Sequence, residues 1–538
     1  MISASNALSH VKTDVDALNV FPVPDGDTGT NMSMTITAAA TALSEPEMSG
    51  DVGIDAVSAT AASALLRGAR GNSGVILSLL FRGFSKGCKG KYELNGEELA
   101  AAMKMGVEAA YKAVLKPTEG TILTVSRMAA DAAVTAADNG ADPLDVLEAA
   151  LEAAQRTLDE TPEMLPVLKK AGVVDAGGQG YVCILEGIVS FLRSGVGVEP
   201  DESAAFTEDG VADPVPLSED EITFTYCTEF IIGKDPGSDR EPELLRSFLR
   251  RIGDSIVMVD DEEIIKVHVH TDHPGKALEE ALKYGIIEKT KIENMRLQFR
   301  KRQSSAAKNE EKTDRVEPEK DYGIVAVAAG EGLRGIFTDL GCDHVVFGGQ
   351  TMNPSTDDIL AACLATPAKT VFVLPNNKNI IMAAEQAIPL AEDRKIVVIP
   401  TKTIPQGVAA SLAFDPSMSE DELTQTMTDA TATVRTGQVT FAARDSDFDG
   451  QEIKEGQILA LRDGKLSFVG TDENETALQL TLDMAKDGAS FVTVFYGVDI
   501  SENQQQALVD KIIEALPDAE VSAVNGGQPI YRYIISVE

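Results

Sequence analysis

Apolar residues in roughly the first 195 positions recur at helical spacing, as in Glu97 to Val114, Pro143 to Leu158 and Gly180 to Leu192. This predicts a helix-dominated segment opening with a helix from Ile2 to about Ala17. The pattern then changes. An acidic, polar stretch from about Val198 to Glu219 and a Lys- and Glu-rich run from Arg302 to Glu319 read as linkers. Between them the order is strand (Ile222 to Ile232), helix (Glu241 to Ile252), two strands (Ser255 to Asp260 and Glu263 to His270), helix (Pro274 to Tyr284) and strand (Ile287 to Leu297). That βαββαβ order predicts an α+β ferredoxin-like domain whose first and third strands are adjacent and antiparallel. From about Tyr322, strands and helices alternate through Ile399, which predicts a parallel, doubly wound α/β sheet. Strands around Gly456 to Val469 and a final α/β portion predict a second lobe. The expected organisation is therefore multidomain: an all-α domain at 1–197, a linker at 198–219, the middle domain at 220–301, a linker at 302–320 and a two-lobed α/β domain at 321–538.

Composition narrows the class. At 538 residues the chain exceeds the size at which one core stops growing. Its formal charge of -38 disfavours nucleic acid and anionic membrane surfaces as partners, because a polyanion gains no counterion release from another acidic surface. No apolar stretch reaches the length of a membrane span. The five cysteines are odd in number and scattered, which fits reduced thiols and a cytoplasmic location.

The densest chemistry lies between Asn19 and Met32, Asn-Val-Phe-Pro-Val-Pro-Asp-Gly-Asp-Thr-Gly-Thr-Asn-Met. Asp25 and Asp27 sit two residues apart on a turn before an apolar run. Two carboxylates within about 4 Å repel by roughly 1 to 4 kcal/mol, so clustering them suits a hard cation; a solvated turn is the competing reading. An EF-hand is excluded, because counting from Asp25 puts Thr30 where glycine is needed and Ile36 where a bidentate Glu belongs. Magnesium remains, since one or two carboxylates suffice when water and phosphates complete its shell. No P-loop is present: Gly90-Lys91, Gly275-Lys276 and Gly464-Lys465 lack the following Ser or Thr. Three other segments have anion-binding chemistry ahead of helices: Arg67 to Gly74, Glu119 to Thr124, and Asp175 to Gly180. Each could equally be a glycine-rich connector.

In the middle domain, His268 and His270 share a strand face, and Cys227 on the first strand could meet them. One Cys and two His form a plausible zinc set with an open position, although two histidines on a solvated face and a packing Cys are the ordinary alternative. In the C-terminal domain, Gly330 to Gly335 falls where a dinucleotide fingerprint belongs. The next strand lacks the acidic end and runs into Gly348-Gly349-Gln350, so a structural turn is the favoured reading.

The segments Leu18 to Met32, Gly71-Asn72-Ser73-Gly74, Glu119 to Thr124 and Val174 to Gly178 together resemble the nucleotide-binding domain of dihydroxyacetone kinases, in the form carried by the ATP-binding subunit of bacterial fatty acid kinase. Lys266 to His270 with Cys227, then Phe347 to Thr356 and Leu374 to Asn379, follow that family in order, so the resemblance covers nearly the whole chain. It implies an up-and-down helical barrel that binds ATP and a pair of magnesium ions. Asp25 and Asp27 would be metal ligands. The family's third Asp is missing before the pair, and Asn19 is carried over only as a weaker, neutral ligand. Thr28, Asn31, Gly71, Asn72, Ser73, Gly74, Thr121, Asp175, Gly177 and Gly178 would surround the nucleotide, and Cys227, His268 and His270 would be catalytic or bind zinc. Little more than one short helix precedes the metal loop, so the first barrel helix is truncated or the true start lies upstream. The implied activity is phosphoryl transfer from ATP to a fatty acid carboxylate presented by a separate fatty-acid-binding carrier protein of the DegV-like kind, docked by the C-terminal domain; a homodimer is also compatible. The alternatives are a kinase for dihydroxyacetone or a similar small substrate, and a non-catalytic nucleotide sensor.

Overall fold

The computed structural model describes residues 1–19, 26–48, 52–114, 117–199, 224–234, 240–260, 264–294, 316–349, 352–442, 445–448 and 451–538. Asp25 and the approach to it from residue 20 lie outside these residues, as do both predicted linkers for most of their length. The chain divides into two compact units: Met1–Ala204 with Arg315–Glu538, and Ala205–Asp314.

The first unit begins with helices α1 (Ile2–Ala17), α2 (Thr28–Leu43), α3 (Ile54–Gly68), α4 (Gly71–Cys88), α5 (Gly96–Ala113), α6 (Ile122–Asp138), α7 (Pro143–Met164), the short α8 (Pro166–Ala171) and α9 (Ala176–Ser194). Their apolar stripes face a common core that includes Leu8, Met32, Leu65, Leu77, Val125, Leu158 and Ile184. Each long helix packs on its neighbour in sequence, α9 packs on α7, and α9 returns onto α1, which closes the expected barrel. Local signals set the boundaries. Asn95 and Glu98 form a reciprocal capping box at the start of α5, and Asp142 accepts from the amides of Leu144 and Asp145 ahead of Pro143. Helix α4 starts four residues earlier than its apolar pattern suggests: Gly71 to Gly74 form its first turn, and the amides of Gly71, Asn72 and Ser73 have no intrahelical partner to lose.

The rest of this unit has two lobes. In the first, β5 (Lys320–Ala328), β6 (His344–Phe347), β7 (Ala368–Leu374) and β8 (Lys395–Val398) form a parallel sheet in the order β6-β5-β7-β8. Helices α12 (Glu331–Asp339), α13 (Thr356–Ala365) and α14 (Ile381–Ala387) connect the strands, as doubly wound topology requires. Helices α15 (Ile404–Leu412) and α16 (Glu420–Ala432) lead into the second lobe. There β9 (Arg435–Phe441), β12 (Ile458–Arg462), β13 (Lys465–Gly470), β14 (Phe491–Tyr496), β15 (Glu520–Asn525) and β16 (Tyr533–Val537) form a mixed sheet in the order β13-β12-β9-β16-β14-β15. A short hairpin, β10 (Ser446–Phe448) with β11 (Gln451–Ile453), and helices α17 (Glu473–Met484) and α18 (Glu502–Ala515) complete the lobe. Glycines at the start of α12 serve this packing. A Cβ on Gly332 would lie 1.7 Å from the Asn525 carbonyl oxygen, so the close approach of β15 excludes any side chain there. Close packing therefore accounts for glycine at 330 and 332.

The second unit is the predicted βαββαβ domain: β1 (Tyr226–Lys234), α10 (Pro242–Ile252), β2 (Gly253–Asp260), β3 (Ile264–Thr271), α11 (Pro274–Ala281) and β4 (Gly285–Asn294), in sheet order β2-β3-β1-β4. Its helices bury Leu245, Leu249, Ala277 and Ala281 against Phe230, Ile232, Val267 and Val269 on one sheet face.

Candidate active site

Antiparallel packing of successive helices brings the starts of α2, α4, α6 and α9 to one end of the barrel. Contacts at those starts show this directly. A Cβ on Gly71 would lie 2.7 Å from Asn31 Nδ2 of α2, one on Gly180 would lie 2.8 Å from Met32 Sδ, and one on Gly178 would lie 2.9 Å from Val125 Cγ2 of α6. All four sequence-predicted segments therefore converge, and each supplies helix-start amides that lack an intrahelical partner, with the positive end of a dipole. That suits a polyanion.

At the start of α2, Asp27 is buried to 8% exposure and does not cap its own helix. The cap comes from α1: Asp16 Oδ1 accepts from the Thr30 amide at 3.0 Å and Oδ2 from the Thr30 hydroxyl at 2.6 Å, while burial pushes the Asp16 carboxyl above its ordinary pKa. With its helix capped by another residue, Asp27 can face the site. Asn19 Nδ2 donates to Thr28 Oγ1 at 3.1 Å, so Asn19, Asp27 and Thr28 form one group. Asn31 is also buried, and a Cβ on Gly71 would lie 2.7 Å from Asn31 Nδ2. Gly71 has φ +56, a conformation that favours glycine, and its lack of a side chain lets Asn31 and Asn353 approach closely.

A residue that the sequence alone leaves unassigned meets this group. Asn353, in the loop before α13, donates from Nδ2 to Asp27 Oδ2 at 2.6 Å. Around that contact Arg70 Nη1 donates to the Asn353 carbonyl at 2.8 Å, the Thr356 amide donates to the Ala69 carbonyl at 3.1 Å, and Arg67 pairs with Asp357 at 3.1 Å. Asn72 Nδ2 donates to Asn379 Oδ1 at 3.3 Å. Among the described residues, the buried oxygens Asn72 Oδ1 and Asn353 Oδ1 have no hydrogen-bond partner. Buried acceptors without a partner among the described residues, one of them on the residue bonded to the buried Asp27 carboxylate, fit a hydrated divalent cation better than an apolar group.

On the α6 and α9 side, Asp175 caps α9 by accepting from the Gly178 amide at 2.7 Å. Burial pushes its carboxyl up to about 6 despite the amide bonds from Gly178 and Ile122. Gly177 and Gly178 lie in the first turn of α9, packed on Ile122 and Val125. Thr121 makes no side-chain cap for α6; its hydroxyl donates to the Thr118 carbonyl at 2.8 Å. Glu119 instead pins this loop, accepting from Thr124 Oγ1 and from Arg127 Nη2, both at 2.8 Å. Ser73 lies half-buried in the first turn of α4.

Comparison with known proteins matches three parts of the chain in succession. A DAK2 domain profile matches residues 22–190, and profiles for the middle and C-terminal domains of FakA-like fatty acid kinase proteins match residues 223–302 and 323–538. Protein YloV of Bacillus subtilis strain 168 is 43% identical over 551 residues, covering 100% of this chain and 98% of that protein. An uncharacterized protein of Staphylococcus haemolyticus strain JCSC1435 is 41% identical over 545 residues, with coverage of 100% and 98%. The chain belongs to the FakA-like fatty acid kinase family. Among solved structures, the fatty acid kinase B3 protein of Streptococcus pneumoniae loaded with linoleic acid covers 40% of this chain and 99% of its own at 14% identity and a TM-score of 0.29, a likeness too low to carry weight.

In the middle domain of this family member, β1 and β3 pair antiparallel with Cys227 directly opposite His270 and Glu229 opposite His268. The predicted Cys and His positions therefore share the sheet face opposite the helices. His270 Nδ1 lies 3.7 Å from Asp254 Oδ1 on β2. The His268 side chain is outside the described residues. Among the described residues no group of three or more His, Cys, Asp or Glu could hold a metal ion, so zinc gains no support. Among the described residues no helix is long and apolar enough to cross a membrane.

Proposed function

We propose that this chain is a kinase that transfers the γ-phosphoryl group of Mg-ATP to a fatty acid carboxylate. What supports the reading is the gathering of four helix starts and Asp27 at one barrel end, in a chain whose three parts match the FakA-like fatty acid kinase family in order. Asp27, with Asp25 and the weaker ligand Asn19, would hold magnesium, two ions in the full site. When bound, magnesium offsets the charge of the phosphates.

The chain's own residues bind and align. Asn72, Ser73 and the first amides of α4 receive phosphate oxygens, and Thr28, Asn31, Thr121, Asp175, Gly177 and Gly178 shape the rest of the nucleotide site. A carboxylate oxygen of the fatty acid bonds to the γ-phosphorus as the bond from that phosphorus to the β–γ bridging oxygen breaks, and ADP keeps the electron pair. The acceptor is already ionised at neutral pH, so no proton leaves it and no strong base is needed. The fatty acid comes in a separate fatty-acid-binding protein that docks on the C-terminal lobes. Cys227, His268 and His270 act on the acceptor side.

Incubation with ATP labelled at the γ-phosphate, magnesium and either oleate with its carrier or dihydroxyacetone tests this. Label in an acyl phosphate supports the proposal. Label in a sugar phosphate, or in neither product, overturns it.

A further inference from the structure

Asn353 belongs to a motif, Phe347 to Thr356, that the proposed transfer does not use. It sits 326 positions from Asp27 in sequence, yet its amide nitrogen is 2.6 Å from Asp27 Oδ2 and the residue is 1% exposed. Because Asp27 presents a carboxylate oxygen, the amide must face it with nitrogen, which fixes the orientation of the group and leaves Oδ1 as the atom without a partner among the described residues. A buried carbonyl oxygen with no donor is unfavourable, so such an atom at a carboxylate site expects a donor or a cation. An amide nitrogen on one carboxylate oxygen leaves the charge of Asp27 intact and fixes its rotamer, as outer partners of metal ligands do. A Lys or Arg would block the site more effectively, because it would neutralise the carboxylate; both nearby arginines point elsewhere, Arg70 to the Asn353 carbonyl and Asp358, Arg67 to Asp357.

Resting on the proposed magnesium-nucleotide reading, we infer that Asn353 of the C-terminal region is a positioning residue of the metal site: it orients Asp27 through Nδ2 and offers Oδ1 to the hydrated cation. The first α/β lobe thereby completes the site on the barrel, and magnesium binding is coupled to the seating of that lobe on residues 67–72.

The test uses the full chain and binding readouts. Calorimetry with ADP across a magnesium titration is expected to show that Asn353→Ala weakens the apparent magnesium affinity about tenfold or more, the range set by loss of a ligand's outer partner, while ADP binding in EDTA stays as in the wild type. Unchanged magnesium affinity overturns the inference, and tighter affinity overturns it by making Asn353 a blocking contact. Asn353→Asp guards against misfolding: it sets a second carboxylate against Asp27, so magnesium should raise its Tm more than that of the wild type. An equal or smaller rise overturns the inference. If the wild type takes up ADP without any magnesium dependence, the underlying metal reading falls as well; a magnesium-dependent wild type with unaffected variants removes the role of Asn353 alone.

Discussion

Replacing Asp175 by Asn changes how the helical barrel responds to pH. The carboxyl is largely buried between α6 and α9, and its pKa rises from an ordinary 3.8 to about 6, with desolvation as the main cause. That rise corresponds to about 3 kcal/mol. For a carboxyl whose folded pKa is raised, the folded state holds the proton more tightly than the unfolded chain. The associated stability is fully present below about pH 3.8, declines through the window from 3.8 to about 6, and is gone above it. Asp175→Asn keeps an oxygen for the Gly178 amide and buries no charge, so it lacks this decline. The amide also leaves a buried N–H₂ to satisfy, which adds an offset independent of pH. Only the slope therefore decides. Urea unfolding of both proteins at steps from about pH 4 to about pH 7, followed by helical circular dichroism, should show the variant gaining up to about 3 kcal/mol relative to the wild type across that range. Parallel stability curves would refute the claim that this carboxyl is held up by burial.

Three further outcomes follow from the site. Asp16→Ala should cost about 1 to 2 kcal/mol in urea unfolding, since it removes the cap on the Thr30 amide, and Asp16→Asn should recover much of the loss. Gly71→Ala should lower stability by about 1 to 3 kcal/mol, because it combines φ +56 with a Cβ 2.7 Å from Asn31 Nδ2, and calorimetry should show weaker magnesium-nucleotide binding. Cys227→Ala and His270→Ala should reduce acyl phosphate formation about tenfold or more with ADP affinity unchanged; equal turnover would remove the strand pair from the chemistry, and elemental analysis of the wild type decides separately whether zinc is present.

Much of the architecture is readable from periodicity. The helical period marks the barrel, because each helix buries one stripe against a shared core, and the strand order of the middle domain follows from βαββαβ connectivity. That Cys227 could face the two histidines follows from the same adjacency of the first and third strands, whereas its register opposite His270 is visible only in the structure. The anion-binding segments are recognisable as glycine-rich runs before helices, but their convergence needs the closed ring of helices. The role of Asn353 is out of reach: nothing local in Met352-Asn353-Pro354 distinguishes a surface turn from a group seated on a carboxylate 326 positions away. Asp16 escapes notice for a related reason, as its acceptors serve Thr30 in the next helix rather than its own. Gly332 illustrates the opposite hazard. Its fingerprint-like setting arises from the tight approach of Asn525, a packing demand that mimics a phosphate loop.

Titration calorimetry of full-length wild type and Asp27→Ala with ATP, each with and without magnesium, tests the metal-nucleotide site most directly. The expected result is ATP uptake by the wild type that requires magnesium and is lost or about a hundredfold weaker in Asp27→Ala, with circular dichroism of the two proteins superimposable. Magnesium-independent uptake, or an Asp27→Ala variant that binds as the wild type does, would contradict it.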